Sequence, residues 1–253
     1  MGPGQIGIEI HDTGPARPLG RSPFAFPDPA LAGPEGLVAM GGDFAPGTIV
    51  DAYRRGIFPW PHPEEERLWF SPDPRAILSP RTVHVSRRLA RTIRHGRFYV
   101  SLNAAFERVL DRCADRPEGT WITPGYRRGY LRLHQLGWAH SFEVWSVDGE
   151  LAGGLYGLNV GGLFGAESMF HAATDASKVA MVAMAHHCQR VGVSLIDVQL
   201  MTPHLASMGA RAIPRSEYLG LVHAVVGQRV NFCGQPGNAA FPMDNWALPN
   251  WSL

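Results

Sequence analysis

The sequence predicts an α+β protein organised around a mixed sheet, and three observations carry that expectation. Residues 139–147, 150–158 and 161–168 read as three consecutive strands, with Asp148-Gly149 as a hairpin turn and residues 159–162 as the second turn. A helical stretch from Ala176 to Arg190 follows, with Thr174 or Asp175 as its cap and Gly192 at its end. The chain then returns to strand character at Leu195-Ile196-Asp197-Val198-Gln199. Meander, helix, strand is the order of a mixed sheet with a helix packed on it.

The remaining elements follow in chain order. Residues 1 to 36 are rich in Pro and Gly and read as a loose arm that becomes ordered near Phe24-Ala25-Phe26-Pro27. Residues 36–43 form a short apolar run closed by Gly41-Gly42. Ala45 to Arg55 reads as a helix, with Pro46 in its first turn and Gly56 ending it. Leu68-Trp69-Phe70 reads as a strand stopped by Ser71-Pro72-Asp73-Pro74. That Pro-rich stretch divides the expected organisation into a small N-terminal α/β domain over 1–73 and a larger domain over 74–253. In the second part Ser86 caps a helix to Arg94, and helices are expected over 104–112 and 125–136. Short helices over 203–208 and 216–226 close the ordered part, and the tail beyond Asn231, with Trp246 and Trp251, shows no pattern.

Composition narrows the function classes. The chain has 253 residues, 45% of them hydrophobic, and a net charge of +1. That balance gives no global argument for nucleic acid, so only local charge can make one. Cys113, Cys188 and Cys233 are widely spaced and form no CxxC, which favours neither a disulfide framework nor a zinc cluster. No basic, apolar leader opens the chain, and no apolar run approaches the roughly 20 residues of a membrane span. A cytoplasmic protein without membrane contact is expected.

Three constellations carry chemistry. Side chains alternate along a strand, so Asp197 and Gln199 share one face while Ile196 and Val198 share the other; Glu167 and Gly165 likewise share a face opposite Phe164 and Ala166. If the 195–200 strand lies beside the 161–168 strand, two carboxyls and an amide converge, a grouping that can hold an amine and help remove its proton. Residues 81–97 contain six arginines and no acid; Arg87, Arg91 and Arg94 share a helical face, with Arg88 beside them and Leu89 and Ile93 opposite. Such a row suits a phosphate backbone. Aromatics at Tyr53, Phe58, Trp60, Trp69, Phe70, Trp121 and Tyr130 supply rings that can stack a base. Each has a plainer alternative that stays open at this stage: a loop-capping Asp197 with an exposed Glu167, a solvated helix face, and packing between domains. His186-His187-Cys188 point about 100° apart on a helix and cannot jointly ligate one metal. There is no GxSxG and no GxxxxGK[ST].

Taken together, the motifs resemble those of the leucyl/phenylalanyl-tRNA–protein transferase family. The resemblance runs from Phe24 to Tyr218 and rests on motifs in order, among them 41–43 (GGD), 52–60 (AYRRGIFPW), 71–75 (SPDPR), 119–122 (GTWI), 153–157 (GGLYG), 167–170 (ESMF) and 195–199 (LIDVQ). It implies a GNAT-like acyltransferase fold for the larger domain. It also implies transfer of Leu or Phe, less well Met, from Leu-tRNA or Phe-tRNA to proteins with N-terminal Arg or Lys. The product enters N-end-rule degradation. No metal or CoA is implied, and a monomer is expected. Carried over by position, Asp197, Gln199 and Glu167 are the catalytic groups, and Tyr53, Trp60, Trp121 and Tyr130 surround the 3′-adenosine. Phe164, Met169, Met181 and Met184 line the donor side-chain pocket. Arg87, Arg88, Arg91 and Arg94 are assigned to tRNA phosphates on their own spacing. The chain departs from the family at Gly165-Ala166 (commonly Cys-Gly), Val198 (commonly Cys) and His171-Ala172 (commonly Ser-Arg), which leaves the ranking of donors open. Two other classes compete. A CoA-dependent acyltransferase would need a strand–loop–helix phosphate cradle, which is not found, and a non-catalytic RNA-binding module would leave Asp197 and Gln199 without a role.

Overall fold

The computed structural model describes residues 8–62 and 67–234, so Trp246 and Trp251 lie outside the described residues. In chain order these form β1 (Ile8–Ile10), β2 (Leu37–Met40), α1 (Pro46–Arg54), β3 (Phe58–Pro59), β4 (Leu68–Phe70), β5 (Arg75–Leu78), α2 (Arg87–Arg94) and β6 (Phe98–Leu102). Next come α3 (Phe106–Ala114), α4 (Pro124–Gln135), and the meander β7 (Ala139–Ser146), β8 (Leu151–Val160) and β9 (Leu163–His171). The chain continues through α5 (Ala176–Val191), β10 (Leu195–Gln199), α6 (Pro203–Ser207), β11 (Arg211–Ile213) and α7 (Arg215–Val225).

The large sheet runs β1-β6-β7-β8-β9-β10-β5-β11, and a small second sheet runs β2-β4-β3. The expected mixed sheet with helices packed on it is therefore present. β9 and β10 pair in parallel, Leu195 beside Leu163 and Asp197 beside Gly165, because α5 carries the chain back between them. α5 is apolar on nearly every side and is buried accordingly. Gly192, at φ 90°, takes the left-handed position that ends it.

Helices cover both faces of the sheet. On one face α5, α2 and α6 share a core in which Leu89, Ile93, Leu205 and Met208 meet Phe164, Met181 and Met184. On the other, α1, α3, α4 and α7 pack Ile49, Val109, Leu133 and Val222 against Tyr156 and Leu163. The N-terminus of α3 has no side-chain cap of its own. Instead the buried Glu143 carboxylate on β7 accepts from the backbone N–H groups of Ala104 (3.2 Å) and Ala105 (3.3 Å). No helix of the described residues is long and apolar enough to cross a membrane.

The N-terminal arm differs from its expectation. Ile8–Ile10 adds to the large sheet as a strand parallel to β6. Arg17 donates its backbone N–H to Leu136 O (2.9 Å), Trp138 Nε1 donates to Arg17 O (2.8 Å), and Phe26 packs edge-on against Trp69. Three residues are too few for periodicity to show among so many Gly and Pro. The strands β5, β6 and β11 likewise have no counterpart among the expected elements.

Candidate active site

Two neighbouring strands each carry one extra residue just past the stretch over which they pair with each other. On β9 the partners of Tyr156 and Gly157 are Ser168 and Ala166, so Glu167 is the bulged residue. On β10 the partners of Ile77 and Ala76 are Asp197 and Gln199, so Val198 is the extra one. A bulge bends its strand and re-aims the side chains around it. Gln199 reaches φ 57°, held there by its own N–H donating to Asp197 Oδ1 (3.0 Å).

Glu167 sits in a cage of tyrosines. The Tyr53 hydroxyl from α1 donates to Oε1, and the Tyr126 hydroxyl from α4 donates to Oε2 (3.1 Å). Tyr130 stacks on Tyr126 at 4.3 Å between centroids, and Tyr156 reaches Tyr126 hydroxyl to hydroxyl at 3.4 Å. The Tyr53 ring lies directly over Gly165, where a Cβ would come within 2.5 Å of it. Burial pushes the Glu167 carboxyl up to about 7, and the tyrosine hydroxyls pull it the other way. A carboxyl near 7 is poised to exchange a proton at neutral pH.

Asp197 has a different environment. Its Oδ1 accepts from Arg75 Nε (2.8 Å) and Gln199 N (3.0 Å), and its Oδ2 accepts from Arg75 Nη2 (2.6 Å) and the Tyr218 hydroxyl (2.9 Å). Both side chains of this bidentate pair have 0% exposure. The Arg75 guanidinium also lies over the rings of Phe58 and Tyr218, at 4.6 and 4.4 Å. A carboxylate has about four acceptor positions, and all are taken.

A cavity of about 380 Å³ opens beside the two bulges. Glu167 and Gln199 form its polar wall; Met169, Val198 and Leu205 form an apolar one; Trp60 and Trp121 border it. The Gln199 Nε2 is buried and has no hydrogen-bond partner among the described residues. A buried amide nitrogen without a partner is costly unless something enters to accept from it.

Several expected site residues fall elsewhere. Asp197 does not line the cavity, because Arg75 and Tyr218 enclose it; the expectation that it meets the amine directly is corrected. Tyr53 and Tyr130 are fully buried, so neither ring can stack on an entering base; Tyr53 holds Glu167 instead. Phe164, Met181 and Met184 are also fully buried and do not line the cavity. They pack in the same core as Val198 and Leu205, behind its apolar wall. Trp60 (40% exposed), Trp121, Met169, Glu167 and Gln199 stand where a ligand can reach them. The arginine row behaves as its spacing implied. Ser86 caps α2, Leu89 and Ile93 are buried, and Arg87, Arg88, Arg91 and Arg94 are exposed, Arg88 lying 3.6 Å from Asp175. Sequence reasoning missed Arg75, Tyr126, Tyr218 and Arg116. Of these, Tyr126 and Tyr218 sit on buried helix faces that look like ordinary core, and only Arg75, an arginine opening an apolar strand, left a signal.

Comparison with known proteins decides the family. A family model described as leucyl/phenylalanyl-tRNA protein transferase matches residues 77–223, and the model of that family's N-terminal domain matches residues 42–73. The curated relative from Anaeromyxobacter dehalogenans (strain 2CP-C) is 54% identical over 205 residues, covering 79% of this chain and 87% of that protein. The chain belongs to the leucyl/phenylalanyl-tRNA–protein transferase family. Relatives of the same name in Aromatoleum aromaticum and Chromohalobacter salexigens are 50% and 49% identical, covering 79% and 86% of this chain and 85% and 86% of theirs. The resemblance read from the motifs is thus borne out, and with it the assignment to an aminoacyltransferase family. A solved structure, that of L-PGS from Bacillus licheniformis, overlaps 60% of the chain and 51% of its own at a TM-score of 0.38 and 12% identity, too weak to define a fold class.

Proposed function

We propose that this transferase moves leucine or phenylalanine, and methionine less well, from its tRNA to the N-terminal Arg or Lys of acceptor proteins, so marking them for N-end-rule degradation. The observation that carries the reading is the placement of Glu167 and the unpartnered Gln199 amide on adjacent bulges, facing one cavity bordered by two tryptophans. The reading includes a cytoplasmic monomer that uses no metal or CoA. It also includes a GNAT-like fold for residues 74–253 beside a small domain over 1–73, supported by the parallel β9–β10 pair around α5.

The reaction is aminolysis of an ester. The acceptor's neutral α-amine attacks the aminoacyl carbonyl, the carbonyl carbon's bond to the ribose 3′ oxygen breaks, the amine's proton leaves, and that oxygen departs as a hydroxyl. Trp60 and Trp121 hold the terminal adenosine. Met169, Val198 and Leu205 receive the donor side chain, and Phe164, Met181 and Met184 set the depth of that wall from behind. Glu167 and the Gln199 amide oxygen accept from the amine's N–H groups, with Glu167 able to take its proton, while the Gln199 Nε2 donates to the ester carbonyl oxygen. Asp197 is a positioning residue: it fixes the Gln199 backbone and through it the amide. Ester aminolysis is intrinsically easy, so positioning supplies much of the acceleration.

Incubation with radiolabelled Leu-tRNA and an Arg-initiated peptide tests the function. Label in the peptide supports it, and tRNA binding without transfer favours an RNA-binding module instead. The α2 arginines have a separate readout. Changing Arg91 and Arg94 to Gln should reduce the slope of log affinity against log salt by about 0.9 for each duplex phosphate that is no longer neutralised. Turnover at saturating donor should stay unchanged.

A further inference from the structure

Arg116 stands at the end of α3 and, among the described residues, is the only permanently charged cation on the cavity wall. Its Nε donates to Cys113 O (3.0 Å), and its Nη2 donates to Ser168 Oγ (3.0 Å) and Met169 O (3.4 Å). These bonds run to the helix it leaves and to the strand that carries Glu167, so the guanidinium is held at a fixed place. Its Nη1 makes no hydrogen bond to any described residue. Of the other charged or titratable groups on the wall, Glu167 repels an anion, and burial, with Lys178 and His171 nearby, lowers the His204 pKa and favours its neutral form. The α2 arginines belong to a different place. α2 packs on the α5 face of the sheet, whereas α3 packs on the opposite face.

Trp60, Trp121 and Arg116 line one cavity, so a base against either ring and a phosphate on Arg116 can belong to one nucleotide. An unpaired phosphate there is costly, and a planar guanidinium with a free edge answers it. We propose that Arg116 binds the phosphodiester joining the donor's last two nucleotides, so that the enzyme distinguishes a polynucleotide-borne aminoacyl group from a free aminoacyl nucleoside. This rests on the function proposed above and adds a recognition point separate from the α2 row.

The experiment compares Leu-tRNA with leucyl-adenosine, which has no phosphodiester, as donors for wild type, Arg116→Gln and Arg116→Lys. For Arg116→Gln, KM for Leu-tRNA should rise by roughly tenfold or more at unchanged kcat. The salt slope should fall by about 0.7, the value for one single-stranded phosphate. KM for leucyl-adenosine should stay within about twofold, and Arg116→Lys should restore part of the affinity, because a point charge still binds phosphate. Equal losses with both donors would make Arg116 a strut for β9 and overturn the proposal, as would no change with either. Wild type inactive with both donors would instead overturn the function proposed above.

Discussion

Changing Arg75 to Met should lower the stability of the full chain by about 3–5 kcal/mol in denaturant unfolding, since it leaves the Asp197 carboxylate buried beside no cation. Asp197→Ala should cost a similar amount by stranding Arg75. Both positions are fully buried, and their mutual bonds of 2.8 and 2.6 Å cannot be replaced by solvent. The neutral double variant Arg75→Gln/Asp197→Asn removes both charges and keeps hydrogen-bonding groups in place, so much of the stability should return. Its turnover decides the role of Asp197. If the carboxylate positions Gln199, the double variant should recover part of the kcat that Asp197→Asn alone loses. A folded double variant no faster than Asp197→Asn would mean that Asp197 itself handles the proton.

Glu167→Gln should separate activity from stability in the opposite sense. In the folded protein the carboxyl titrates at about 7 against an ordinary value of 4.5. Between those values the folded state holds more protons than the unfolded one, so wild-type stability falls as pH rises through that window and levels off above it. Glutamine carries no such burden. The variant should therefore match wild type near pH 4 and exceed it at pH 8, by less than the about 3 kcal/mol that the full shift corresponds to, because water in the cavity screens the charge. Urea midpoints at the two pH values check this. Turnover should fall by roughly 10²–10⁴-fold, the usual cost of losing a proton acceptor. Tyr126→Phe removes a donor that favours the carboxylate, so it should raise the Glu167 pKa and move the acid limb of the kcat/KM profile to higher pH.

Much of the frame was legible because its signals are local. Asp148-Gly149 marks the β7–β8 turn, and the run after Asp175 reads as the crossover that places β10 beside β9. Alternation along β9 put Glu167 and Gly165 on one face, and the bond between Glu167 and Tyr53 agrees with it. What failed was whatever depends on distant partners. Asp197 looked like a group waiting for a substrate, because Arg75 lies 122 residues away in sequence and nothing near Asp197 announces it. Tyr53 and Tyr130 looked like stacking rings because burial cannot be read from a ring's presence in a motif. The bulges at Glu167 and Val198 leave no compositional mark, yet they decide which side chains share a wall.

The Arg75–Asp197 clamp has a consequence for how the polypeptide is made. Its arginine leaves the ribosome long before its carboxylate, and the Tyr218 hydroxyl that completes it comes later still. Contacts of such separation form late, after the entropy of closing a long loop has been met. A nascent chain interrupted between Arg75 and Asp197 lacks Gln199 altogether, and one interrupted between Gln199 and Tyr218 carries Gln199 beside an incomplete clamp. The step that arms the enzyme therefore comes late in translation, and fragments stalled before Tyr218 are expected to be silent rather than partly active.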